Sequence, residues 1–130
     1  MIISEKKNFE RKTFKNLMEK SSSFDRRNVE INVRLYVDSF VKKGMKMKHI
    51  GIYWPLKNEV DIRSLNNKYS LALPRCKKNK ELLFCAWEGK KLTKDYEGIL
   101  SPDSSQKLSY KNISMIFVPC LAVDKNLIRL

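Results

Sequence analysis

Apolar residues recur at three- and four-residue steps through the first third of the chain and then fall into short blocks. Residues ~5–20 predict a first helix, with Phe14, Leu17 and Met18 on one face, Phe9 near it, and Lys and Glu filling the rest. Ser21-Ser22-Ser23 ends it. Ser22 followed by Asp25 has the spacing of a capping box, with Asp where Glu or Gln is usual. A second helix runs to about Lys43, because Val29, Val33, Tyr36, Val37, Phe40 and Val41 form one stripe. Lys42 and Lys43 suit the negative end of its dipole, and Gly44 suits a left-handed stop.

The later blocks read as strands. His49 to Trp54 predicts a first strand closed by Pro55, and Tyr69 to Leu73 a second closed by Pro74. Between them Asn58 is placed to cap a short helix carrying Val60, Ile62 and Leu65 and ended by Asn66-Asn67. Strand, helix and strand at this spacing form a βαβ unit, so the two strands should run parallel. Leu82 to Trp87 predicts a third strand. Glu88-Gly89, Glu97-Gly98 and Ser101-Pro102-Asp103-Ser104 punctuate a turn-rich stretch. Met115 to Val118 is an unbroken apolar run closed by Pro119, the pattern of a strand buried on both faces. Asp124-Lys125-Asn126 is turn chemistry. The fold class is α/β.

Length sharpens this to one domain or part of one, since the chain has 130 residues. The longest apolar run, Ile113 to Val123, is far below the ~20 residues of a membrane span. The N-terminus has no apolar core behind a basic start, so no signal peptide is evident and a cytoplasmic protein is expected. Three cysteines, Cys76, Cys85 and Cys120, without a CxxC pair predict reduced, buried thiols, and with the single His49 they predict no metal site.

The net charge of +13 raises nucleic-acid binding as a rival function. Its distribution argues against that partner. Residues 1–48 carry 13 basic and 6 acidic side chains, and residues 49–130 carry 14 and 8. Spread charge fits solvation, or steering of anionic ligands, better than a nucleic-acid footprint.

Chemistry-bearing residues gather at the expected carboxyl ends of the strands. Tyr53 and Trp54 end the first, Glu59 follows, Arg75 lies past the second, and Asp124 and Arg129 follow the last. Parallel strand ends share one rim, so these six can meet around a flat, partly anionic ligand. Each also has an ordinary alternative: Trp54 in the core, Glu59 as a favourable first-turn charge, the arginines at the surface.

Five blocks in order resemble the 5-formyltetrahydrofolate cyclo-ligase (methenyltetrahydrofolate synthetase) family. They are Lys7-x-x-x-Arg11, Ile50 to Asp61 (IGIYWPLKNEVD), Leu71 to Arg75 (LALPR), Leu82 to Gly89 (LLFCAWEG) and Met115 to Leu130 (MIFVPCLAVDKNLIRL). Cys120 and Val123 depart from the family's usual glycine and phenylalanine. The resemblance implies a three-layer α/β/α fold with a mainly parallel sheet and two N-terminal helices. It implies the Mg-ATP-dependent conversion of 5-formyltetrahydrofolate to 5,10-methenyltetrahydrofolate: the formyl oxygen takes the γ-phosphoryl group, N10 attacks that carbon, and phosphate leaves. Such chemistry rests on positioning and charge neutralisation more than on a protein nucleophile. By resemblance, Lys7, Arg11 and Arg129 serve the ATP phosphates, and Trp54, Glu59, Tyr53 and Arg75 the folate, with no catalytic nucleophile assigned. The family pattern goes on to a glycine-rich phosphate loop that these 130 residues do not contain. The resemblance therefore implies a single domain over 1–130, incomplete, with the C-terminal part of the fold missing. Three expectations follow: little or no turnover by these residues alone, a last strand short of neighbours and cover, and, as the alternative, a non-catalytic folate-binding remnant.

Overall fold

A computed structural model describes residues 2–89 and 91–130. Two helices, α1 (Ile3–Glu19) and α2 (Ser23–Lys42), precede six strands: β1 (His49–Gly51), β2 (Leu71–Cys76), β3 (Leu82–Trp87), β4 (Thr93–Lys94), β5 (Leu100–Ser101) and β6 (Ile113–Ile116). The capping box is present as the sequence predicts. Asp25 N–H donates to Ser22 Oγ at 3.0 Å, and Ser22 N–H donates to the Asp25 carboxylate at 3.3 Å. Gly44 adopts φ +98°, the left-handed conformation that ends the α2 segment.

The main sheet has the order β3-β2-β1-β6. β1 runs parallel to both β2 and β6, and β3 is antiparallel to β2. The predicted parallel pairing is observed, and the fold is α/β with a mixed, mainly parallel sheet. One sheet face presents Ile50, Ile52, Leu71 and Leu73, all at most 1% exposed, to Val37 of α2 and to Ile62 and Leu65. This is the core. Burying these seven side chains is the main term holding α2 and the segment after β1 to the sheet, at about 1.5–3 kcal/mol each. A polar clamp adds to it: the Tyr69 hydroxyl and the Lys68 ammonium both donate to the Asp38 carboxylate of α2. Those two bonds hold the Asp38 carboxyl below its ordinary range.

The opposite sheet face carries small residues. A Cβ on Gly51 would lie 2.9 Å from Ile116 Cγ1 and 3.0 Å from Phe84 Cε1, so those side chains close over the bare backbone.

Four expectations are corrected. The helix capped by Asn58 does not form. Asn58 instead has φ +68°, and a 3₁₀ turn at Arg63–Asn67 carries Leu65. The reason is length: a helix of two turns has few bonds to repay nucleation, and Asp61 diverts the backbone by accepting from Arg63 N–H at 3.0 Å. The second strand does not stop at Pro74 but continues through it to Cys76. By Pro74 the strand has passed the end of β1 and is paired only with β3, and proline is tolerated on such an edge. The last strand is not buried on both faces. β6 is an outer strand, and Ile116 and Val118 beyond it are 41% and 55% exposed. Among the described strands β6 pairs with β1 alone. Finally, the three cysteines are free as expected, but only Cys85 is buried; Cys76 is half-buried and Cys120 exposed. No helix among the described residues is long and apolar enough to cross a membrane.

Candidate functional site

The carboxyl ends of β1 and β6 open into two neighbouring cavities, the place where an α/β sheet offers a crevice. The first, about 400 Å³, lies between the α1–α2 junction, the segment after β1 and the segment after β6. Its wall is mostly apolar, with Met18, Val29, Val33, Val60, Ile62 and Phe117. Arg26, Tyr53, Asn58, Glu59 and Cys120 supply polar groups. An apolar slot with a few fixed polar groups is the usual form of a small-molecule site.

Arg26, Tyr53 and Glu59 are fixed by local bonds. The Tyr53 hydroxyl donates to Val60 C=O at 2.5 Å, and burial, then the nearby Glu59 and Asp61 carboxylates, push its pKa up to about 12. It is therefore a neutral donor at physiological pH. Glu59 accepts from Leu56 N–H through Oε1 at 2.7 Å. Among the described residues nothing bonds its second oxygen. Arg26 Nη1 donates to Ser21 C=O at 2.8 Å and to Ser21 Oγ at 3.0 Å, and Ser21 Oγ donates to Met18 C=O at 2.6 Å. Arg26 thus caps the negative end of α1 while lining the cavity.

The second cavity, about 390 Å³, lies between α1 and the C-terminal turn. Lys7, Arg11 and Arg129 line it, with Phe14 on the α1 side and Glu10 and Asp124 as the acidic members. The turn is built by Asp124, whose Oδ1 accepts from Asn126 and Ile128 N–H at 2.8 and 2.9 Å, and by Leu127 at φ +63°. A bridge between Val123 and Arg129 closes it, and Arg129 Nη1 donates to Pro119 C=O at 3.2 Å. Three cations around one hollow suit a phosphate chain. Among the described residues no three carboxylate, imidazole or thiol groups converge to hold a metal ion.

One face of α1 joins the cavities. Lys7, Arg11 and Phe14 line the second, and Met18 lines the first, at steps of four, three and four residues. Arg11 and Met18 are separated by about 10 Å of helix at 1.5 Å per residue.

The structure thus brings Tyr53 and Glu59 together in one cavity and Lys7, Arg11, Asp124 and Arg129 in the other. Trp54 and Arg75 line neither. Trp54 lies under the Arg63 guanidinium, 4.3 Å from its ring centroid, and edge-on to Trp87 at 6.2 Å. Arg75 holds the β4–β5 hairpin through Thr93 Oγ1 and the carbonyls of Lys94, Ser101 and Pro102. Arg26 and Cys120 escaped the sequence reading. Arg26 sits inside a capping-box stretch, where its charge looks like helix solvation, and only the helix junction reveals it.

No protein-family model matches the sequence, and no curated protein matches it. Two solved structures share the fold. The NMR structure of Aquifex aeolicus 5,10-methenyltetrahydrofolate synthetase superposes with a TM-score of 0.69 at 24% identity, over 88% of this chain and 60% of that one. A 5,10-methenyltetrahydrofolate synthetase from Mycoplasma pneumoniae superposes with a TM-score of 0.67 at 20% identity, over 95% of this chain and 70% of that one. The chain thus spans about three fifths of the Aquifex protein's length.

Proposed function

We propose that this chain belongs with the folate cyclo-ligases and handles 5-formyltetrahydrofolate and Mg-ATP as co-substrates. The observation that carries the proposal is the pairing of a mostly apolar cavity, in which Asp25 is engaged by the capping box and Glu59 keeps one oxygen unbonded, with a cavity lined by three cations along one face of α1. A flat pteridine fits the first, and a triphosphate the second. The likeness of fold to methenyltetrahydrofolate synthetases favours these two ligands over other pairs of similar shape.

Each residue has a role in this proposal. Glu59, held by Leu56 N–H, presents its second oxygen to pteridine N–H groups. Tyr53 stays protonated and fixes the loop that carries Glu59. Lys7, Arg11 and Arg129 neutralise phosphate charge, which is the main demand of phosphoryl transfer. Trp54 and Arg75 act at one remove: Trp54 anchors the segment after β1, and Arg75 braces the far end of β2. The ion supplied with ATP offsets charge on the transferring group when bound. A cytoplasmic site of action suits these metabolites.

The test is calorimetric titration of the 130-residue chain with 5-formyltetrahydrofolate and, separately, with Mg-ATP, followed by mixing both and watching for methenyltetrahydrofolate absorbance. Binding of both ligands supports the proposal, and product shows the full reaction. Binding of the folate without product identifies a folate binder. Absence of folate binding overturns the proposal.

A further inference from the structure

Arg26 and Glu59 line the first cavity together, and they also share the walls of a smaller adjoining one of about 200 Å³. Each is half-committed. Glu59 gives Oε1 to Leu56 N–H, and Arg26 gives Nη1 to Ser21. Among the described residues no hydrogen bond falls on Glu59 Oε2, Arg26 Nε or Arg26 Nη2. The bonds already made fix where the remaining groups sit, so little side-chain freedom is lost on binding. Asp25, the other acid in the wall, is spent on the capping box.

A fixed acceptor beside a fixed donor is complementary to one kind of ligand edge: an N–H donor next to a C=O acceptor, as in a lactam. We infer that Arg26 is a specificity-determining residue that reads the 4-oxo group of a pteridine while Glu59 takes the adjacent N3–H and 2-amino group. This rests on the folate reading of the cavity and deepens it. A 4-amino pteridine would set a hydrogen-bond donor against the guanidinium and an unprotonated N3 against the Glu59 carboxylate, so both residues would face a mismatched group, the kind of loss that discriminates strongly.

The experiment compares folic acid with its 4-amino-4-deoxy analogue by calorimetry, on the 130-residue chain and on Arg26→Gln. The original chain should bind the 4-oxo ligand about ten- to hundredfold more tightly, the range for a charge-assisted hydrogen bond. Arg26→Gln should lower that ratio by the share owed to the guanidinium, about tenfold, the rest being owed to Glu59. Arg26 also braces the helix junction, so affinities alone are ambiguous; the ratio is not, because loosened helices weaken both ligands alike. Arg26→Lys, which keeps charge and loses the fork, should fall between. An unchanged ratio in Arg26→Gln overturns the inference and leaves the folate reading standing. Failure of the original chain to bind either ligand overturns both.

Discussion

The hydroxyl of Tyr53 donates to the carbonyl of Val60 at 2.5 Å, closing the loop that carries Glu59. Tyr53→Phe removes that bond and should cost about 1 kcal/mol in urea unfolding, with a larger fractional loss of folate affinity because Glu59 loses its frame. The bond also gives a pH signature. With the folded pKa at about 12 against an ordinary 10.0, the neutral phenol is favoured in the fold. Its contribution is complete below pH 10.0 and lost as pH rises towards 12. Ultraviolet titration should show Tyr53 and Tyr69 both ionising late, and Tyr53→Phe should remove one of the two late steps while leaving that of Tyr69.

Gly51 faces Phe84 and Ile116 with no room for a methyl group. Gly51→Ala should destabilise by about 1–3 kcal/mol, the usual cost of overpacking. Ile116 lies on an outer strand and is 41% exposed, so it is the neighbour able to give way. The double variant Gly51→Ala/Ile116→Ala should recover part of the loss in thermal melts. A double variant no more stable than Gly51→Ala would show that Phe84 sets the clash.

Arg75 bridges β2 to the β4–β5 hairpin through one hydroxyl and three carbonyls. Lysine has one short-reaching ammonium in place of the planar fork. Arg75→Lys should therefore speed amide exchange over residues 93–102 while leaving folate affinity within about twofold, a difference near 0.4 kcal/mol. A large loss of affinity would return Arg75 to the ligand.

The thiols should separate by reactivity. Cys85 is fully buried, and burial raises its pKa despite the nearby Arg75. Cys120 is exposed at the mouth of the first cavity. A thiol reagent at neutral pH should label Cys120 first, Cys76 more slowly, and Cys85 only on unfolding. Bound 5-formyltetrahydrofolate should slow Cys120 alone.

Much of this architecture was legible before the structure. The face of Phe14, Leu17 and Met18, the stripe from Val29 to Val41 and the blocks beginning at His49, Tyr69, Leu82 and Met115 indicated both helices and all four main strands, though not their bounds, because burial imposes their periods. Loop conformation was not legible: Asn58 looks like a cap, yet only tertiary packing decides that it takes φ +68°. Burial of β6 was misjudged because an apolar run reports composition, while cover depends on neighbours elsewhere in the chain. Lys7 and Arg11, four residues apart, indicated a shared face. That Arg129 joins them depends on a turn no local pattern describes. Arg26 was invisible for the same reason, since its partner Ser21 belongs to a helix junction.

The central claim is that two ligands occupy two adjoining cavities along α1. Amide chemical shifts of the isotope-labelled chain, followed while each ligand is added alone, test it most directly. Folate should move Met18, Arg26, Tyr53, Glu59 and Cys120, and Mg-ATP should move Lys7, Arg11, Asp124 and Arg129, with the sets meeting on α1. Shifts from both ligands on the same residues, or diffuse shifts over the basic surface, would contradict the account.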